Sequence, residues 1–246
     1  MFHNIGEMLI LLWRTVELLP QTWKQRDKVA EQLFEIGNAS LLMSGILSLF
    51  IGGVIALQTG PVLVERGLAG VLGGIIGLSM CKELGPVMMA VLIAGRIGSA
   101  MAAEIGSMCV YQEIDALQTM NINPVSYLVL PRLVAICVAL PLLVVFSVLV
   151  GWVGGGLVCV YNHQIALSFQ GFFNSLRDVV EIGDVLNGLF KSLVFAAVIG
   201  TVSCQQGLAT IGGPRGIGRS VTKAVVNSLV LILILDYFLT RLLLYF

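Results

Sequence analysis

Charged side chains are nearly absent from five long stretches of this chain, 39–57, 67–95, 133–161, 185–204 and 225–246, and return in the shorter segments between them. Each stretch is near or above the ~20 residues that a helix needs to cross a hydrocarbon core, so the pattern predicts five transmembrane helices. The stretches 67–95 and 133–161 are long for single crossings, which a tilt or a break accommodates. Residues 1–22 follow another rhythm. Phe2, Ile5, Leu9, Leu12, Trp13, Val16 and Leu19 recur every three or four positions, with His3, Asn4, Glu7, Arg14 and Glu17 largely on the other side, the pattern of an amphipathic helix lying in the membrane interface. Acidic residues interrupt it and Pro20 ends it without a small-residue cleavage site, so it does not read as a signal peptide. Lys24, Arg26, Lys28, Glu31 and Glu35 form a polar connector to the first crossing. Segment 162–184 mixes polar and apolar residues as an external loop with a short amphipathic helix would.

The stretch from Arg96 to Arg132 is the longest polar-punctuated segment between two apolar walls. Ser99 to Met120 reads as one helix: a serine can cap its start, no proline interrupts it, and Asn121 tolerates the left-handed conformation at a helix C-terminus. Asn123-Pro124 then supplies an N-cap and an N1 proline for a second helix. On the first helix Glu104, Met108, Tyr111 and Asp115 share a face, with Ile105, Cys109, Ala116 and Met120 on another. That face suits either a solvated loop helix or a docking surface. Arg14, Lys24, Arg26, Lys28, Arg96, Arg132, Arg215, Arg219 and Lys223 fall on one side of the five-crossing layout, against Arg66, Arg177 and Arg241 on the other. The rule that lysine and arginine stay inside then places the N-terminus and the 96–132 segment in the cytoplasm.

Composition agrees. Hydrophobic residues make up 57% and charged ones 11%, where a soluble domain carries about 25% charged. A net charge of zero gives no reason to expect nucleic acid or another charged polymer as partner. The five cysteines are odd in number and lie in or beside apolar runs, as small hydrophobes rather than a disulfide framework. Two histidines and no His/Cys/acid cluster leave too few ligands for a zinc site or a histidine-based nucleophile, so a lipid-modifying enzyme is the weakest reading. Lys82 and Glu83 stand out, because charges inside a bilayer cost about 2.5–3.5 kcal/mol each on insertion scales and must face a cavity or a partner. As neighbours on a helix they point about 100° apart, so each needs its own partner, with Lys191, Asp236 and backbone carbonyls as candidates. An ion relay through these groups, in a self-sufficient secondary transporter or channel, is the alternative function they support. Gln58, at the outer end of the first crossing, is a further polar candidate. Gly70-x-x-x-Gly74 and Gly73-x-x-x-Gly77 allow close helix packing. Gly213-Pro-Arg-Gly-Ile-Gly218-Arg219-Ser220 imitates a phosphate-binding P-loop, but it joins two bilayer-length segments and not a strand and a helix of a parallel sheet.

Two sets of residues carry a resemblance. Lys82-Glu83-Leu-Gly85-Pro86 is similar to one motif of the MlaE permease family. Arg96-Ile-Gly98, Ala103-Glu104-Ile-Gly106, Glu113-Ile-Asp115-Ala-Leu117, Met120, Pro124 and Tyr127-Leu-Val-Leu-Pro131-Arg132 resemble its longer signature. The resemblance implies an all-α polytopic fold over the whole chain and a non-enzymatic permease subunit of an ATP-driven lipid transporter, phospholipid being the expected cargo. It implies a homodimer with a second permease copy, a cytoplasmic ABC ATPase that binds the ATP, so that this chain carries no cofactor, and an MCE-domain periplasmic protein. It also implies a bacterial inner-membrane location and support of outer-membrane lipid asymmetry. The lipid path would run by Gln58, Lys82, Glu83, Gly85 and Pro86. The family's coupling helix would fall on 99–120, with Glu104, Gly106, Met108, Glu113, Asp115 and Leu117 in ATPase contact. Three positions depart from the family pattern. Gln112-Glu113 inverts the usual Glu-Gln, moving a carboxylate by one position, about 100° around a helix. Lys82 stands for arginine and Asn121 for glycine.

Overall fold

The computed structural model describes residues 2–18, 25–165 and 167–243, and among these it is helical throughout, with turns and no strand. Its helices are α1 (Phe2–Glu17), α2 (Arg26–Glu65), α3 (Leu72–Ser79), α4 (Gly85–Ile93), α5 (Ser99–Val110), α6 (Glu113–Thr119), α7 (Leu130–Tyr161), α8 (Phe169–Val179), α9 (Ile182–Leu208) and α10 (Gly213–Leu243). Wider π turns at Met80–Leu84, Ala94–Gly98 and Val125–Val129 join α3 to α4, α4 to α5, and lead into α7. Five runs are long and apolar enough to cross a membrane: Arg26–Glu65, Ala69–Val110, Val125–Tyr161, Ile182–Leu208 and Gly213–Leu243. The chain is an all-α, multi-pass membrane protein.

Several spans are longer than the apolar blocks. Gly60 and Pro61, beyond the end of the apolar block 39–57, lie inside α2. The helix ends instead where Gly67 takes φ 71°. There Leu68 N–H bonds the Leu63 carbonyl at 2.8 Å and Gly67 N–H the Val64 carbonyl at 2.9 Å, a Schellman closure that needs a residue free to turn left-handed. At the other end of the chain, the glycine-rich segment is a loop only as far as Gly212. From Gly213 it is already α10, with Pro214 in the first turn. The P-loop look-alike is therefore helix, not a phosphate-cradling loop. Leu19 and Pro20, at the expected end of the interfacial helix, lie outside the described residues.

Contacts divide the chain into two units. One comprises Met1–Asn38, Ala90–Leu140 and Leu193–Phe246; the other, Ala39–Met89 and Pro141–Ser192. The second unit packs through small residues. Ser40, Ser44 and Ser48 are buried one turn apart on α2. Beyond them the α2 and α7 backbones meet so closely that a Cβ on Gly52 would strike the Gly151 carbonyl, and one on Gly154 the Leu49 carbonyl. Gly73 likewise lies against the Phe172 carbonyl of α8, where Gly74 N–H donates to Ser175 Oγ at 3.1 Å. The small-residue spacing thus serves α3–α8 contact. Phe172, Leu72, Ile76, Met80 and Cys159 fill the adjoining core.

In the first unit α1 buries Met8, Leu11 and Thr15, while Trp13 and Ile10 face outward at 66% and 56% exposure. Leu11 packs with Ile105, Ile114, Leu128, Val129 and Cys204, and Glu7 accepts a hydrogen bond from Gln205 Nε2 at 2.9 Å. Alongside, α10 lays a stripe of Gly216, Ser220, Ala224, Ser228 and Ile232 inward and packs on α5 and the Ala94–Gly98 turn.

Candidate functional site

The turn between α3 and α4 is shaped by Pro86, which has no N–H to offer the carbonyl four residues back, that of Lys82. The helix responds by widening: Gly85 N–H bonds the Met80 carbonyl, five residues away. Lys191 of α9 supplies the missing donor, its Nζ lying 3.0 Å from the Lys82 carbonyl and 2.8 Å from Glu83 Oε1. Lys82 turns the other way and pairs with Asp184 Oδ1 at 2.9 Å. Adjacent charges thus do take separate partners, as their angular separation requires. Asp184 and Lys191 stand two turns apart on one face of α9. Between them Gly188 lets that face approach, since a Cβ there would strike the Cys81 carbonyl and stand 3.3 Å from Pro86 Cγ. The Lys191 side chain is 3% exposed, and two acceptors offset the desolvation of its ammonium. Lys82 and Glu83 remain 45% and 40% exposed. The four groups form a neutral cluster with two accessible members. Against the same turn lies an apolar cavity of about 60 Å³, lined by Cys81, Val144, Val148, Trp152, Val185 and Leu189. Gly85 is a packing residue, because an added Cβ would stand 2.8 Å from Val148 Cγ2. Gln58 is exposed on α2 and takes no part in the two ion pairs.

The expected continuous helix over 99–120 is two helices. After Val110 the chain breaks at Gln112, which takes φ 60°, and α6 starts at Glu113. The cause is tertiary. Ile105 and Ile114 are nine residues apart, which on an unbroken helix puts them on opposite faces, about 180° apart, yet both are buried in one cluster with Leu11, Leu128, Val129 and Cys204. Only a sharp elbow allows that. The shift of a carboxylate by about 100° expected from Gln112-Glu113 therefore does not arise, because Gln112 is not helical. At the far end of α6, Asn121 takes φ 60°, and Ile122 N–H bonds the Leu117 carbonyl at 2.9 Å, the left-handed cap expected of it. Asn123 Oδ1 then accepts from Val125 N–H at 3.0 Å as the next segment begins.

Glu104 is drawn into an internal ion pair, Arg132 Nη2 lying 2.9 Å from its Oε2. Gly106 is buried where a Cβ would meet Thr210 Oγ1 at 2.8 Å, so it serves packing. Met108 and Leu117 pack against the Ile105–Ile114 cluster. Of the six candidates on this segment Glu113 and Asp115 alone face out without an ion pair among the described residues, beside Tyr111 and Met120 at 68% and 67% exposure. Asp184, Gly188 and Arg132 were not among the expected site residues. Asp184 read as a loop-edge charge, and nothing local in the sequence marks it as the partner of a residue about a hundred positions away.

Known proteins are similar to this sequence. The model of the MlaE permease family matches residues 29–242. A probable ABC transporter permease protein from a Synechocystis strain is 40% identical over 87% of this chain and 81% of its own length. A probable ABC transporter permease protein from Rickettsia typhi is 37% identical over 87% of this chain and 82% of its own. The chloroplastic protein TRIGALACTOSYLDIACYLGLYCEROL 1 of Arabidopsis thaliana is 37% identical over 85% of this chain and 59% of its own length. With five membrane-length helices and these matches, the chain belongs to the MlaE permease family and is a transporter permease subunit.

Proposed function

We propose that this chain is the membrane subunit of an ATP-driven transporter of lipid, phospholipid being the cargo, in a bacterial inner membrane with its N-terminus in the cytoplasm. Two copies pair, a separate ABC ATPase binds and hydrolyses the ATP, and a periplasmic MCE-domain protein continues the lipid path in support of outer-membrane asymmetry. The observation that carries the reading is the charged turn. Half-exposed Lys82 and Glu83 lie inside a membrane-length helical run, next to Cys81, which lines an apolar cavity, and a polar and an apolar surface on one turn match an amphiphile. A diacylglycerol lipid also figures in the printed name of the Arabidopsis relative.

ATPase contact falls to the elbow, where Tyr111, Glu113, Asp115 and Met120 stand outward on a short helix fixed by Ile114. Glu104 is the poorer probe, since its reversal breaks the pair with Arg132. Asp115→Lys and Glu113→Lys should leave the protein inserted and monodisperse but reduce ATPase co-purification at least about ten-fold, the effect of ~1.4 kcal/mol; unchanged association removes the elbow from the docking role. Mass spectrometry of lipid retained by the complex, with a directional transfer assay, tests the cargo. The rival ion relay requires transport by the purified chain in liposomes without an ATPase. Pairing of all four charges within the cluster counts against free proton or ion exchange there.

A further inference from the structure

The first turns of α10 carry Arg215, Arg219 and Lys223, four residues apart and therefore on one side of the helix. All three are exposed, and among the described residues none forms an ion pair. No aspartate or glutamate occurs between Asp184 and Asp236, so this end of the chain is cationic without local compensation. Ile211, in the loop just before, is 87% exposed. Following the same side along the helix, the basic residues give way to Val226, Val230, Leu233 and Tyr237, exposed at 51%, 42%, 60% and 63%. The buried stripe of Gly216, Ser220, Ala224 and Ser228 lies about a quarter turn away, packed on α5. One unbroken face thus presents cations and then hydrocarbon along a membrane-crossing helix. This order, charge at the rim and aliphatic groups below, is complementary to one molecule of an anionic phospholipid in the surrounding leaflet: phosphate against the guanidinium and ammonium groups, acyl chains along Val226 and Leu233.

We propose that this face of α10 is a binding site for an anionic phospholipid of the surrounding bilayer, separate from the cargo path. An acidic protein surface is a poorer occupant, because a protein partner in water would not cover the aliphatic continuation of the same face. The site uses no residue of the charged turn, so loss of lipid transfer in the transport assay would leave it untouched, and its own failure would leave the transport reading untouched.

The test uses the full chain purified in micelles of mixed phosphatidylcholine and phosphatidylglycerol, with retained lipid counted by native mass spectrometry. Wild type should enrich phosphatidylglycerol, and enrichment should fall as salt rises. The Arg215→Gln/Arg219→Gln/Lys223→Gln variant should lose it, by roughly five-fold per cation removed and so well over ten-fold in all. Arg215→Lys/Arg219→Lys should keep most of it, and unchanged thermal unfolding in phosphatidylcholine alone shows that the Gln variant is folded. Equal phosphatidylglycerol retention by wild type and the Gln variant overturns the proposal. So does a Gln variant that keeps its lipid and instead loses co-purifying ATPase, which would assign the cations to a protein partner.

Discussion

At the residue scale, two glycines on one helix separate the demands made on α9. Gly188 faces the Cys81 carbonyl and Pro86, so a methyl group there must push α9 away from the charged turn and stretch both ion pairs. Gly183 has nothing within 4 Å of an added Cβ. Gly188→Ala should therefore destabilise by about 1–3 kcal/mol, the range for overpacking a close contact. Gly183→Ala should be neutral or stabilising by up to about 1 kcal/mol, because alanine is the better helix former. Thermal unfolding in detergent reads both. If the two variants unfold alike, Gly188 does not set the approach of α9 to the turn. Lys82 and Glu83 were legible in the sequence because charge in an apolar run is costly wherever it sits. Their partners were only half legible: Lys191 shares that anomaly, while Asp184, at the end of a polar loop, looks ordinary until the fold brings it to 2.9 Å.

At the scale of elements, the three π turns share a logic. Pro86 and Pro131 each follow one and withhold an N–H from the preceding turn. In all three, side chains serve the loosened carbonyls: Lys191 Nζ on Lys82, Ser99 Oγ on Gly95 and Arg96 at 2.6 and 2.8 Å, and Arg132 Nη1 on Leu128 at 3.3 Å. Widened turns of this kind concentrate at functional positions, and here they carry Lys82, Glu83 and Arg96. Hydropathy showed that 67–95 was too long for a simple crossing but could not show where the helix widens, since a π turn has the same apolar content as the α-helix around it. The two left-handed residues differ in the same way. Asn121 was foreseeable from its own chemistry, whereas Gln112 turns left-handed only because Ile114 must reach the cluster containing Ile105. A left-handed backbone costs a residue with a Cβ about 1–2 kcal/mol. Gln112→Gly should accordingly keep or raise the unfolding temperature and preserve ATPase co-purification. Gln112→Val, β-branched at positive φ, should lower both, and the reverse order would mean that the elbow straightens in the working protein.

At the scale of the whole molecule, the number of crossings was readable from composition and length, and the helix ends were not. Ends depend on local hydrogen bonding, as at Gly67, and on packing, as at the start of α10, where small residues that looked like loop are the contact with α5. An odd number of crossings has a consequence that helix boundaries do not affect: the chain must begin and finish on opposite sides of the membrane. Arg215, Arg219 and Lys223 at the start of α10 outweigh Arg241 near its other end, and Arg26 and Lys28 precede the apolar part of α2, so both ends of the tally predict the proposed cytoplasmic N-terminal side. A reporter active only in the cytoplasm should work when fused ahead of Met1 and fail when fused after Phe246, and a reporter active only outside it should do the reverse. Cysteines introduced at Glu113 and at Arg177 should likewise label from opposite sides, the first from the cytoplasm. Labelling of both from one side would mean that Val125–Tyr161, the one run lying between them, does not cross, and Pro131 and Pro141, which both interrupt its backbone bonding, would be the place to look.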